Sequence, residues 1–334
     1  MSVFYRPIPQ IDPIRPKDAL PIAGGWTWFN SLERLQRGGT SEFVSVDQAP
    51  TDVIEAITAK RMPVAGLDLT RPQVMGILNV TPDSFSDGGR FDHAGAGVAH
   101  AKAMQAAGAD MIDIGGESTR PGAKLVQIDE EITRTAPVIA AIRETSGVPI
   151  SIDTRKADVA KAALAAGADL INDVSAFEFD NGMIDVAAGS QAPVCLMHAQ
   201  GTPDIMQDDP RYGDVVLDVY EYLADRVSIA NRAGIPSSRI IVDPGIGFGK
   251  TQEHNLLLLR KLSIFHSLGC AILLGASRKR FIGAIGKAEV ADRRMPGSLA
   301  VAMAAVSQGV QVLRVHDVAE TCQALSLHMA ATSG

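Results

Sequence analysis

The chain has 334 residues, 46% of them apolar and 21% charged, a balance that builds a large packed core and excludes a disordered chain. Its 38 acidic and 31 basic residues leave a formal charge of −7, the wrong sign for wrapping a nucleic-acid backbone but compatible with a local basic pocket for a small anion. No apolar run approaches the ~20 residues that cross a bilayer, and the first residues lack the basic-then-apolar order of a signal peptide.

Three well-separated cysteines, Cys195, Cys270 and Cys322, lie in apolar surroundings. Buried free thiols in a reducing, cytoplasmic compartment are the expectation.

Residues 1–70 read as an extension. Pro7, Pro9, Pro13, Pro16 and Pro21 favour an extended path. Residues 41–46 alternate like a short strand, and Thr51-Asp52 can start a helix reaching about Arg61. The apolar material is too sparse for a separate domain. Trp26 and Trp28, the only tryptophans, are expected to anchor the segment on the barrel, away from the carboxyl ends of its strands.

From residue 71 to 334 the pattern becomes regular. Apolar runs with the look of buried strands fall at 74–80, 111–114, 149–152, 170–172, 194–197, 240–242, 271–274 and 312–315. Between them lie stretches of helical period, including 94–107, 129–145, 156–166, 215–233 and 252–268. An internal echo sets Ala107-Gly108-Ala109-Asp110 before MIDIGG and Ala166-Gly167-Ala168-Asp169 before LINDV. Its glycine ends a helix in the left-handed conformation and turns the chain into the next strand. Eight such units over about 250 residues predict an α/β fold of the (β/α)8 TIM-barrel type. An open doubly wound sheet is the competitor, but nothing marks a reversal of strand order.

Barrel sites gather at the carboxyl ends of the strands. In order these carry Asn79, the run from Gly115 to Arg120, Asp153-Thr154-Arg155, Asn172-Asp173, His198, Asp243, Ser277-Arg278-Lys279, and Arg314 with His316. One aspartate after a strand is as easily a helix cap as a ligand, and a lone histidine is usually structural. A polar group at every strand end is harder to dismiss.

The set divides by chemistry. Asp153, Asn172, Asp243 and Lys279 suit a flat heterocycle with a donor-bearing N–C(NH2)–N edge. Asn79, Thr119, Arg120, Arg314 and His316 suit a phosphate or diphosphate. Asn79 with diphosphate oxygens can hold Mg2+, which takes few protein ligands. The run Gly245 to Thr251 imitates a P-loop, but Pro244 stands where its first glycine belongs. Its glycines are read instead as letting backbone approach a flat ring. His198 near Cys195 lacks the second pair a metal site needs.

The motifs MGILNVTPDSFSDGG, GGESTRPGA, IDTRK, INDVS, CLMHAQG, IVDPGIGFGK, GASRKRFIG and RVHDV follow one another in the order of the dihydropteroate synthase family. The resemblance runs from Val74 to about Val318. It implies a barrel enzyme that condenses 6-hydroxymethyl-7,8-dihydropterin diphosphate with 4-aminobenzoate, a homodimer, a Mg2+ requirement and a sulfonamide target. By motif position it implies pterin contacts at Asp153, Asn172, Met197, Asp243 and Lys279. The diphosphate and metal end falls to Asn79, Arg120, Arg314 and His316, and the aminobenzoate end to Thr119, Phe85 and Ser277. Lys279, Asp243 and Arg314 are the residues expected at the reacting atoms.

Two features depart from the family pattern: the longer extension, and Ala199 where methionine is common. Rival readings are a methyl-tetrahydrofolate-binding methyltransferase barrel and a non-catalytic pterin-binding protein. The diphosphate-end motifs STRPG and RVHDV, with Lys279, argue against the first, and the intact motifs after both of the first two strands against the second. Loops 81–89 and 118–123, polar and rich in glycine and proline, are expected to be mobile until a diphosphate holds them, with Phe85 covering the aminobenzoate ring.

Overall fold

The structure is a computed structural model that describes residues 2–80, 90–118, 125–201 and 206–332. The chain begins with strands β1 (Val3–Pro7), β2 (Leu20–Pro21), β3 (Trp28–Phe29), β4 (Ser31–Gln36) and β5 (Glu42–Ser45), then helix α1 (Thr51–Thr58). Strands β1, β4 and β5 form one antiparallel sheet, and β2 pairs with β3.

The regular part follows as β6 (Gln73–Asn79), α2 (Arg90–Ala106), β7 (Met111–Gly115), α3 (Ile128–Arg143), β8 (Ile150–Asp153), α4 (Ala157–Ala166), β9 (Leu170–Asp173), α5 (Met183–Ser190) and β10 (Val194–Met197). It continues with α6 (Val215–Arg232), β11 (Ile240–Asp243), α7 (Gln252–Arg260), β12 (Ala271–Leu274), α8 (Arg280–Gly286), α9 (Met295–Val306), β13 (Val312–Val315) and α10 (Val318–Thr332). Strands β6 to β13 pair in sequence order, all parallel, and β13 pairs with β6 to close the barrel. The fold is the expected TIM barrel, and the open sheet is excluded by that last pairing.

Side chains alternate across each strand, and the alternation sorts the core into two. Val74, Leu78, Ile112, Ile114, Ile150, Ile152, Ile171, Val194, Leu196 and Val242 point outward and pack with the helices. Met75, Met111, Leu170, Cys195, Ile241, Ala271, Leu273 and Val312 point inward and form a second cluster with Val64, Leu67 and Leu69. Residues 64–69, which composition alone puts in the extension, therefore close the amino-terminal mouth of the barrel.

The internal echo has a physical basis. Gly108 and Gly167 take φ of 102° and 111°. Asp110 and Asp169 then accept the amides of Val74 and Ile150 at 2.8 Å while donating their own amides back to the same residues. Each echo is a pin that sets the register of one strand against the next. The expected helix over 252–268 is two pieces, because Lys261 leaves helical geometry and a 3-10 turn, Leu262–Leu268, follows.

The rest of the extension has a small core of its own around Ile22, Ala23, Phe29, Leu32 and Ile57. Trp26 donates its indole N–H to Val306 O at 2.8 Å, at the end of α9 and the amino side of β13. Trp28 instead donates to Asp12 O at 2.8 Å, a bond within the extension. Arg61 is the second fastener: buried, it reaches Ala56 O and Ala59 O at the end of α1 and His266 O and Cys270 O on the barrel at 2.8–3.1 Å. A cation at the carbonyl end of a helix is favourably placed. Cys195 and Cys270 are buried, and Cys322 is half-buried.

Candidate active site

Continuing the inward alternation toward the carboxyl ends leads from apolar residues to Asn79, Asp113, Asp153, Asn172, Met197, Asp243 and Arg314. The centre of the set is Arg314, half-buried on β13. Its Nε donates to Asp113 Oδ2 and its Nη2 to Asp153 Oδ2, each at 2.6 Å. Asn172 donates to both oxygens of Asp113 at 3.3 and 3.4 Å. The sequence had grouped Arg314 with an anion and Asp153 with a ring; in this structure they are joined.

Buried charge is costly unless paired, and the acids show it. Burial, opposed by Arg314 and reinforced by Asp113, pushes Asp153 up to about 7. Burial pushes Asp243 up to about 6 against the amide of Gly245 and the charges of Lys279 and Arg314. Burial also works against the charge on Arg314, but Asp113 and Asp153 outweigh it and hold the guanidinium above its ordinary value. Asp243 Oδ1 accepts from Gly245 N at 2.7 Å, and Met197 lies beside Asp243 in register.

Two glycines keep this chamber open. A side chain on Gly275 would meet Asp243 Oδ2 at 3.6 Å and the Arg314 stem at 3.9 Å; one on Gly115 would meet Asp153 at 3.5 Å and Asn79 Oδ1 at 3.8 Å.

A second group lies around the ends of β12 and β13. Ser277 Oγ accepts from His316 N at 3.2 Å and lies 3.1 Å from His316 Nδ1. The serine hydroxyl thus holds the imidazole by its Nδ1 edge and leaves Nε2 facing away from Ser277. Arg278, at φ 57°, pairs with Asp317 and Asp292 and so ties the β12 loop to the β13 loop. Lys279 Nζ sits 4.0 Å over the ring of Phe248. Thr119, Arg120, Phe85, and the two loops expected to be mobile, apart from Ser118 at the start of the second, lie outside the described residues.

Other strand-end residues prove to be fasteners. Glu117 accepts from Arg155 at 2.8 and 3.0 Å, from Lys156 at 2.6 Å and from Val126 N at 2.8 Å. Lys156 also pairs with Glu131, which accepts from Thr154 at 2.7 Å. This network locks the β7 loop to the β8 loop. Asp173 caps the turn after β9 through Ser175 and Phe177.

Two of the glycines of residues 245–249 make room for protein. A side chain on Gly245 would strike His198 O at 1.9 Å, and one on Gly249 would strike Gln200 O at 2.2 Å.

Sequence reasoning missed Asp113, Phe248 and Lys250. Asp113 was detectable as an acid at an inward position of an otherwise apolar strand. Phe248 and Lys250 lay within the rejected P-loop imitation.

The pattern of the family described as "Pterin binding enzyme" matches residues 75–316. The chain is similar to the dihydropteroate synthase of Escherichia coli (strain K12), 46% identical over 259 residues that span 78% of this chain and 91% of that one. It is similar in structure to Xanthomonas albilineans dihydropteroate synthase with 4-aminobenzoic acid, with a TM-score of 0.76, 46% identity, and coverage of 81% of this chain and 97% of that one. The Yersinia pestis dihydropteroate synthase in a sulfonamide drug complex gives a TM-score of 0.77 at 44% identity, covering 82% and 99%. With its closed barrel and its ring of acids and arginine at the strand ends, this chain belongs to the pterin-binding enzyme family, among the dihydropteroate synthases.

Proposed function

We propose that the chain condenses 6-hydroxymethyl-7,8-dihydropterin diphosphate with 4-aminobenzoate, releasing diphosphate and 7,8-dihydropteroate. The observation that carries this reading is the chamber of Asp113, Asp153, Asn172 and Asp243 beneath Arg314. It presents carboxylates and an amide to a flat ring bearing N–H groups, with cations above.

Asp153 and Asp243 accept from the pterin N–H groups and stabilise positive charge that develops on the ring as the C–O bond to diphosphate breaks. Asn172 holds Asp113, and Asp113 holds Arg314 over the ring. Lys279 and Phe248 form the wall toward the arylamine, whose nitrogen bonds the methylene carbon once the C–O bond to diphosphate is lost, and gives up a proton to water. His316, oriented by Ser277, turns its imidazole to the departing oxygens. No covalent enzyme intermediate is required, since loss of diphosphate precedes attack. Thr119, Arg120 and Phe85 are assigned to the diphosphate and arylamine by motif position.

Mg2+ fits this set. Among the described residues no group of three or more His, Cys, Asp or Glu forms a cation cage, and Asp113 and Asp153 are engaged by Arg314. The amide oxygen of Asn79 at the end of β6 would hold the ion together with diphosphate oxygens, since Mg2+ takes few protein ligands. The ion would neutralise charge on the leaving diphosphate.

A cytoplasmic homodimer is also proposed. The three free cysteines suit a reducing compartment, and no helix among the described residues is long and apolar enough to cross a membrane. Ile285, Val290 and Leu327 lie exposed on or beside the adjoining helices α8, α9 and α10, a face suited to a second copy. Neither nucleic acid nor membrane is a partner in this reading.

The test is diphosphate release from the pterin diphosphate with and without 4-aminobenzoate. Release that depends on the arylamine and on Mg2+ is expected. Its absence, with correctly folded protein, would overturn the reading.

A further inference from the structure

Lys250 belongs to no substrate contact assigned above, yet it is 2% exposed and its ammonium meets no carboxylate within hydrogen-bond reach among the described residues. Its Nζ donates to His198 Nδ1 at 2.8 Å, Gly245 O at 2.9 Å, Phe248 O at 3.0 Å and His198 O at 3.3 Å. When Lys250 is protonated it has no lone pair, and the imidazole accepts at Nδ1. Burial, with the charge of Lys250 second, pushes His198 down to about 2. Burial pushes Lys250 itself down to about 7, Asp243 pulling upward and Lys279 downward.

The four acceptors come from two loops. His198 follows β10, while Gly245 and Phe248 follow β11. The loop after β11 is wound around the ammonium, and other bonds complete the winding. Gly247 N donates to Asn255 Oδ1 at 2.7 Å, Gln207 donates to Gly247 O at 2.7 Å, and Tyr212 donates to Gly249 O at 2.7 Å. The wound loop aims Phe248 at Lys279, with Nζ 4.0 Å from the ring centre, and lays Gly247 against the Lys279 stem. The tight approaches at Gly245 and Gly249 come from the same winding.

We propose that Lys250 is a positioning residue for the arylamine side of the site: its buried ammonium gathers the β10 and β11 loops and so fixes Phe248 against Lys279. A side chain of similar length without the donors takes the lysine's hydrogen bonds from the His198 and Phe248 carbonyls and an imidazole nitrogen in the interior, and leaves Gly245 O with the amide of Phe248. The loop then rearranges to reach water, and Phe248 moves from its place. Asp113, Asp153, Asn172 and Arg314 of the pterin chamber stand on other strands; Asp243 at the end of β11 touches the wound loop through the amide of Gly245, so the pterin side is affected less than the arylamine side.

The inference rests on the proposed condensation, and wild-type arylamine-dependent diphosphate release is the control that separates the two. If the control fails, the function reading fails; if it succeeds and the variants below do not behave as stated, only the role of Lys250 falls. In Lys250→Met the KM for 4-aminobenzoate should rise about tenfold, while the KM for the pterin diphosphate stays within about threefold. Phe248→Ala should give the same selective rise, and the double variant should be little worse than either single one, because both changes act on one wall. An unchanged aminobenzoate KM, an equal rise for both substrates, or full additivity with Phe248→Ala would overturn the proposal. Where Lys250→Met yields no folded protein, His198→Leu removes one of the four acceptors and is judged by the same selective rise, about threefold.

Discussion

The two mouths of the barrel are built from the same eight strands, yet they are opposite in chemistry. At the amino-terminal mouth Met75, Met111, Leu170, Ile241 and Val312 meet Val64, Leu67 and Leu69 in an apolar plug. Two residues further along β7 and β13 the same inward positions hold Asp113 and Arg314, with Asp153, Asn172 and Asp243 beside them. The first end gains stability by removing apolar surface from water. The second keeps charges largely out of water, where each relies on its partners. Stability and chemistry thus occupy opposite ends of one interior.

The sharpest way to break the upper end is Arg314→Met. It leaves Asp113 and Asp153 buried without their cation, and removing one partner of a buried pair costs about 3–5 kcal/mol. Activity should be lost and the urea midpoint should fall. A variant that loses activity at unchanged stability would show that the pair contributes little to folding.

Leu67→Ala tests the lower end. A fully buried leucine removed from the plug should cost about 2–5 kcal/mol of stability, with kcat/KM unchanged in the protein that remains folded. A matching loss of catalysis would mean that the two ends communicate.

Asp153→Asn separates affinity from stability. It exchanges an acceptor for a donor against the pterin ring, a mismatch of about 1–3 kcal/mol. Calorimetry should show weaker pterin binding with the fold intact. Unchanged pterin affinity would remove Asp153 from the site.

The smallest effect is the pH dependence. Asp153 and Asp243 titrate at about 7 and about 6 in the folded chain, above the ~3.9 of an unfolded aspartate. The folded state therefore holds more protons between these limits. Their contribution to stability is fully present below about pH 4 and is lost as pH rises through 6 to 7. Pterin affinity runs the other way, since the ring needs carboxylates, and should fall as pH drops through the same window. Denaturant midpoints and pterin titrations between pH 4 and 8 check both signs; Asp153→Asn should flatten the first curve.

What was legible in the chain followed from short-range physics. Eight apolar runs separated by helical stretches imply parallel strands covered on both faces, and the glycine-aspartate echoes imply strand-to-strand pins. The polar strand ends pointed to Asp153, Asn172 and Asp243 as one group, while Lys279, grouped with them in the sequence, sits over Phe248. The length of helix α7 was misjudged, because a break at Lys261 depends on packing.

By itself the sequence determined the barrel, its order and the residue types at its mouth, because strand, helix and cap preferences are settled within a few neighbours. Only the tertiary structure decided which charges meet. Arg314 lies 201 residues from Asp113 and 161 from Asp153; Lys250 lies 52 from His198. Separations of that length carry no local signal. Closure of the barrel brings these groups within 3 Å, and at that range in a dry interior the pairing energy becomes large enough to select one arrangement.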